Sequence, residues 1–267
     1  MAYQLGYCAL RWINPELEPA LEALKKSGWD GWECRLPLNW LGTPNRIRRI
    51  CNNTGMPLKI LVANGPPTDR GQENIEINRR RIDFAAEIEV DCFMFMTGPR
   101  PQGIVTRDEL KSAAEAAEDW AEYAEQYQLE LSFHIHSGHI VDSLEEWRTY
   151  MSYSNKAKLC IDVSHAAYWD FDPVESIREF RDQLNYVHLQ DWKGPMHFED
   201  GKDKRAWCPV GEGNACDFPA ILSVLQEINY DRWVTAVPGI PNPGREDAIS
   251  MAQESKSMHG YMRSIGY

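Results

Sequence analysis

The stretch LSFHIHSGHIVD, Leu131 to Asp142, puts three of the chain's seven histidines, His134, His136 and His139, within six residues, and a carboxylate follows three positions later. Taken alone it settles nothing, because a histidine on a strand is more often hydrogen-bonded structure than a ligand. Its meaning depends on the architecture around it. LELSFHIH (129–136) reads as a strand, and DSLEEW after it as a helix start, with Asp142 as N-cap and Glu145 three residues on.

The same strand-then-helix rhythm runs eight times along the chain. YQLGYCA precedes Asn14 as N-cap, Pro15 at the first helical position, Leu17, Leu21 and Leu24 at helical spacing, and Gly28 as a stop. GWECR leads to Thr43-Pro44 and a helix ending near Gly55, and PLKILVA to a long polar helix after Gly71. VDCFMFM leads to Thr106 and Glu109, spaced as a capping box ahead of an Ala-rich helix. KLCIDV, NYVHLQ and WVTAV are the sixth, seventh and eighth strands, and Asp217 caps the helix after the seventh. Continuous apolar strands alternating with amphipathic helices predict a buried parallel sheet of the α/β class. Eight repeats in 267 residues is the size of a closed (β/α)8 TIM barrel, with residues 1–267 as one domain. A doubly wound open sheet is the alternative, but no GxGxxG follows the first strand as its dinucleotide site would require.

Composition narrows the function. Hydrophobic residues at 43% and charged residues at 25% are the proportions of a globular protein. No run approaches the roughly 20 apolar residues of a membrane span, and MAYQLGYCAL has no basic region ahead of an apolar stretch, so a cytoplasmic location is expected. The seven cysteines are odd in number, scattered and never spaced CxxC, which suggests reduced thiols and neither a disulfide framework nor a zinc knuckle. With 28 basic and 40 acidic residues the net charge of −12 opposes nucleic acid and anionic membranes and favours neutral or small partners.

In such a barrel the active site forms at the C-terminal ends of the strands. That rule selects Glu33 on strand two, His134 and His136 on strand five, Asp162 with His165 on strand six, and His188 with Asp191 and Lys193 on strand seven. Polar side chains interrupting apolar strands are costly unless each is paired, hydrogen-bonded or metal-bound.

GWDGWECR, CIDVSHAAYWDFDP, YVHLQDWK and PVGEGNACDFPAIL, with WVTAVPG and the terminal SMHGYMRSIGY, resemble the xylose isomerase-like TIM barrels of the sugar phosphate isomerase/epimerase superfamily, nearest to its inosose dehydratase-like branch. The resemblance covers nearly the whole chain, and its most specific piece is Asp162-x-x-His165 followed by His188. It implies a divalent cation, manganese, cobalt, magnesium or zinc, held by a strand-five carboxylate, the strand-six Asp, the strand-seven His and a Glu ending strand eight. By position Asp162 and His188 match. The expected strand-eight Glu is Val237, which cannot bind a cation, so the metal is expected to be weakly held or absent. On strand five the epimerase Glu aligns with His134, while the dehydratase-like branch places its Glu at Asp142. His134, Asp162 and His188 would give two imidazoles and a carboxylate with open positions, a set that suits first-row transition metals.

Plainer readings stand beside these. Asp142 can be a helix cap alone, and Asp162 and His188 a metal-free hydrogen bond. His136 and His139 can bond loop carbonyls, Glu33 can pair with Lys59 inside the barrel, and Glu212 can order the loop before Asp217. Trp12, Trp40, Trp169, Trp192 and Trp207 fall on the active-site side and can pack against the C–H face of a sugar, whereas Trp29, Trp32 and Trp233 read as core. The long loop after strand seven, residues 191–213, is a candidate lid.

The resemblance implies abstraction of the proton alpha to a carbonyl of a keto-sugar or keto-cyclitol. Epimerisation needs acid/base groups on both faces, and Val237 removes one. Elimination needs one base and a leaving-group acid, roles open to His134, His136 or His165 with Lys193, so a lyase is preferred. Glu33, Trp12, Trp169 and Trp192 are expected to contact substrate. The alternatives are a degenerate sugar- or partner-binding barrel, or a subunit of a C-glycoside-cleaving enzyme with a small partner protein; a homo-oligomer is also compatible. The superfamily's apurinic endonuclease branch needs a basic DNA surface, which a charge of −12 opposes.

Overall fold

Strands and helices alternate as the sequence rhythm requires in the computed structural model, which describes residues 3–10, 12, 16–194, 206–239 and 247–267. β1 (Gln4–Cys8) leads to α1 (Leu17–Ser27), β2 (Gly31–Cys34) to α2 (Leu38–Leu41) and α3 (Pro44–Thr54), and β3 (Leu58–Val62) to α4 (Gln72–Glu87). β4 (Cys92–Phe95) leads to α5 (Arg107–Glu125), β5 (Glu130–His134) to α6 (Leu144–Met151), and β6 (Lys158–Asp162) to α7 (Val163–Tyr168) and α8 (Pro173–Glu179). After β7 (Leu184–Leu189) the short strands β8 (Asp191–Lys193) and β9 (Ala206–Cys208) pair antiparallel, and α9 (Phe218–Glu227) follows. β10 (Trp233–Ala236) is the eighth barrel strand and precedes α10 (Ala248–Ser264). The order β1-β10-β7-β6-β5-β4-β3-β2 closes on itself, with β1 parallel to both β10 and β2.

Local chemistry sets the element ends. Thr43 caps α3 ahead of Pro44, Gly55 ends it in the left-handed conformation, and Gly28 at φ 105° ends α1 in the same way. Thr106 and Glu109 form the capping box in both directions, and Asp217 accepts from the Ala220 N–H. Two expected starts move. Glu16 is extended, so α1 begins at Leu17, and the expected cap pair Asn14-Pro15 lies outside the described residues. α6 is capped by Ser143, which accepts from the Glu146 N–H, while Glu146 accepts from the Asp142 N–H; the capping pair sits one residue later than Asp142 and Glu145.

The two-residue period of a strand sorts side chains between two cores. Ile60, Val62, Cys92, Met94, Cys160, Tyr186 and Trp233 fill the barrel interior, while Leu131, Phe133, Leu159, Ile161 and Val187 join the larger layer under the helices. On β6 that parity places Asp162 on the same inward face as Cys160, and on β7 it places His188 with Tyr186. Gly6 of β1 pairs with the buried Thr235 of β10 where the barrel closes, and a methyl group on Gly6 would collide with Thr235 Oγ1. Gly6→Ala is therefore expected to cost about 1–3 kcal/mol through overpacking, measured as a lower midpoint in urea unfolding; an unchanged midpoint would show that the closing seam is slack.

Candidate active site

Burial of a carboxylate without partners is prohibitive, and Glu33, fully buried at the end of β2, has four. The Cys8 thiol (3.0 Å) and Arg35 Nε (3.1 Å) donate to Oε1, while the Tyr186 hydroxyl (2.7 Å) and His188 Nε2 (2.5 Å) donate to Oε2. Burial by itself would raise the carboxyl pKa, but the His188 and Arg35 charges hold it well below the usual range. Burial likewise works to lower the His188 pKa, but the Glu33 and Asp162 carboxylates together more than offset this, so it is raised. Lys59 is not the partner of Glu33: it pairs at 2.9 Å with Asp91, which immediately precedes β4.

With Nε2 committed to Glu33, His188 turns Nδ1 toward the histidine cluster. Nδ1 is 3.0 Å from His134 Nε2 and 3.8 Å from Asp162 Oδ2, and the latter two atoms are 3.5 Å apart. Asp162 and His188 are direct register partners across β6 and β7. The Asp162 carboxylate is divided: Oδ1 accepts from the Ser164 N–H (3.0 Å) and hydroxyl (2.6 Å), capping α7, and Oδ2 faces the imidazoles. Burial would raise its pKa, yet the surrounding histidines keep it a carboxylate. Burial lowers His134 to about 3, so this ring is neutral. The Cys160 thiol, one inward position below Asp162, also comes within 4.8 Å of nitrogens of His134 and His188. Burial pushes that thiol well up, which leaves Asp162 as the better anionic donor.

Hydrogen bonds assign tautomers to the next two histidines. His136 Nδ1–H donates to the Ser137 carbonyl at 2.7 Å, which leaves Nε2 with a free lone pair. The Ser137 N–H donates to His165 Nδ1 at 3.3 Å, so the proton of this neutral ring is on Nε2, 4.0 Å from Asp162 Oδ2. Burial lowers both pKa values. A cavity of about 280 Å3 is bounded by His134, His136, Asp162, His165, His188 and Val237, together with Arg35, Gln190 and Trp207. Trp207 stands 5.0 Å from the His165 ring, centroid to centroid.

Other expected site residues stand elsewhere. Asp142 lies outside this cluster, its Oδ1 accepting from Trp169 Nε1 at 2.9 Å, so Trp169 is tied to a loop carboxylate. His139 bonds the Thr97 carbonyl. Trp12 is buried against Trp32, and Trp192 is fully buried, so neither is a platform for substrate. Lys193 is exposed 3.7 Å from Glu212 and lines a neighbouring cavity of about 1050 Å3 that contains none of the clustered histidines, which line the smaller one. The loop before α9 is ordered by Asp191, which accepts from the N–H groups of Gly213 and Ala215, rather than by Glu212. Residues 195–205 of the expected lid lie outside the described residues. Arg35, Gln190 and Ser137 were missed by the sequence reading; their signal was position, at or just past the ends of strands two, seven and five.

The family model for xylose isomerase-like TIM barrels matches residues 21–255. The chain belongs to this family. Among curated relatives it is 27% identical over 141 residues to an inosose dehydratase of Geobacillus kaustophilus, covering 49% of this chain and 46% of the relative. It is 26% identical over 155 residues to one of Clostridium perfringens, covering 52% of each. The chain thus spans about half the length of the curated relatives it matches. Similar solved folds are the Escherichia coli 3-keto-D-glucoside 4-epimerase (TM-score 0.74, 16% identity, 98% and 99% of the two chains) and a Methylomonas D-allulose 3-epimerase in complex with D-allulose (TM-score 0.74, 16% identity, 98% and 96%). No helix among the described residues is long and apolar enough to cross a membrane.

The Tyr186 hydroxyl is a buried donor to a charged acceptor, so Tyr186→Phe is expected to lower stability by about 1.5–3 kcal/mol in denaturant unfolding. A loss near zero would mean that Glu33 is held by its other three donors alone.

Proposed function

We propose that this barrel is a metal-dependent lyase that removes the proton alpha to the carbonyl of a keto-sugar or keto-cyclitol and expels a neighbouring hydroxyl. The observation that carries the reading is the convergence of His134 Nε2, Asp162 Oδ2 and His188 Nδ1 at 3.0–3.8 Å. Donors sharing a first-row cation at about 2.1 Å stand about 3.0–3.4 Å apart, so small adjustments bring these three into one coordination sphere. The donor chemistry fits as well: two neutral-capable imidazoles and a carboxylate suit manganese, cobalt or zinc. Glu33 fixes the orientation of His188 from behind, the role a carboxylate plays toward a metal-binding imidazole.

A cation held there would stabilise the enediolate oxygens that form when the alpha proton leaves. Within the chain, His136 Nε2 is a neutral lone pair in the cavity and acts as the base. His165 Nε2–H is a neutral donor that hydrogen-bonds the departing hydroxyl, which leaves as water with the proton that His136 has taken. Val237 is apolar and 3% exposed at the place where a second base would be needed, which favours elimination over inversion of configuration. The inosose dehydratase relatives support the same reaction class, and the epimerase folds support the sugar-sized substrate.

Calorimetric titration with manganese and cobalt tests the ligand set. His188→Ala is expected to abolish binding, His139→Ala to leave it unchanged, and Glu33→Gln to weaken it about 10–100-fold. Equal affinities across these variants would refute the assignment. With a panel of keto-sugars and keto-cyclitols, the wild type is expected to yield dehydrated products, and His136→Ala to lower kcat about 10²–10⁴-fold. Formation of an epimer in place of a dehydrated product would contradict the reaction, and binding without turnover across the panel would favour a sugar-binding barrel.

A further inference from the structure

Arg35 follows β2 by a single residue and lines the cavity beside His134, His136 and His165. Its guanidinium is anchored by Nε to Glu33 Oε1 at 3.1 Å. Glu33 needs nothing more from it, because Cys8, Tyr186 and His188 supply its other donors. The two terminal nitrogens, Nη1 and Nη2, have no hydrogen bond to any described residue, although only 23% of the side chain is exposed. Neither nitrogen is closed off from solvent, so both can donate to an acceptor that enters the cavity. An arginine pinned at Nε presents the Nη edge in a fixed plane, and that edge matches the two oxygens of a carboxylate. Gln190, 7% exposed and on the same cavity wall, also has no side-chain hydrogen bond to a described residue and suits an adjacent hydroxyl.

We infer that Arg35 is a specificity residue that binds a carboxylate on the substrate, which makes the substrate class sugar or cyclitol keto acids in place of neutral ketoses. This rests on the sugar-lyase reading of the same cavity. A carboxylate gripped at Arg35 anchors one end of the molecule while the carbonyl end reaches the imidazoles, so the ligand enters in one orientation. Geometry selects a carboxylate over a phosphate: the planar Nη edge offers two parallel donors to two coplanar oxygens, and Lys193, which could have met a second negative charge, lies in the other cavity, beside Glu212. The net charge of −12 favours neutral or small partners, and a small monoanion stays within that expectation.

Calorimetry in manganese-supplemented buffer tests this with two matched pairs, 2-keto-D-gluconate against D-fructose and 5-keto-D-gluconate against L-sorbose, each pair differing by a carboxylate in place of a hydroxymethyl group. D-fructose 6-phosphate is the phosphate control. The wild type is expected to bind the acid at least about tenfold more tightly than its neutral partner in one pair or both, the scale of one charge-assisted bidentate contact. Arg35→Lys should remove that advantage and leave the neutral sugar within about threefold of wild type; Arg35→Gln, which keeps a donor for Glu33, replaces it if the lysine variant fails to fold. Equal or tighter binding of the neutral sugars, a retained preference in a folded Arg35 variant, or tightest binding of the phosphate would overturn the carboxylate inference alone. No binding by any of the five compounds would overturn it together with the sugar-lyase reading.

Discussion

One buried carboxylate organises this end of the barrel. Glu33 can remain charged and fully buried only because β1, β2 and β7 each bring it donors: the Cys8 thiol, the Arg35 guanidinium just past β2, and the Tyr186 hydroxyl with the His188 imidazole. Partial satisfaction would be unfavourable, since a buried ion with a missing partner costs several kcal/mol. The strands are thereby tied at defined registers, Cys8 opposite Glu33 across β1 and β2 and Asp162 opposite His188 across β6 and β7. The same bond that satisfies Glu33 decides which nitrogen His188 offers to the cavity.

From that fixed ring the remaining polar groups follow a division of labour. Asp162 spends one oxygen on the start of α7 and keeps the other for the imidazoles, so the fold and the site share a side chain. His136 and His165 lie 4.3 Å apart, centroid to centroid, yet they are locked in opposite tautomers by Ser137, through its carbonyl in one case and its N–H in the other. A single residue after β5 thus distinguishes a lone pair from a hydrogen-bond donor, the difference that the proposed elimination requires.

Much of the architecture was legible because it is written locally. Gly28 with its left-handed stop, Thr106 with Glu109, and apolar runs of strand length each act over a few residues, and the barrel is what eight such units build. Asp162, His165 and His188 could be read from their places at strand ends. The partners of Glu33 could not, since Tyr186 and His188 are more than 150 residues away in sequence and meet it only across the barrel interior. Lys59 was a false partner because strand parity alone does not say at which end of the barrel a long side chain emerges. The tryptophans failed for a related reason: Trp12 and Trp192 do follow strands, but burial of Trp12 against Trp32, and of Trp192 with its Nε1 on the Ser164 carbonyl, is a tertiary outcome. At Asp142 and Ser143 two good capping residues are adjacent, and the geometry of one turn selects the second.

The central claim is that Glu33 holds His188 so that three donors from β5, β6 and β7 share one cation. Its most direct test is an anomalous-difference map from crystals of the full chain grown with cobalt, recorded at the cobalt edge. The account predicts one strong peak within about 2.0–2.3 Å of His134 Nε2, Asp162 Oδ2 and His188 Nδ1, with His188 Nε2 still bonded to Glu33. A peak centred on other residues, or a His188 ring turned to present Nε2 to the metal with Glu33 released, would contradict it.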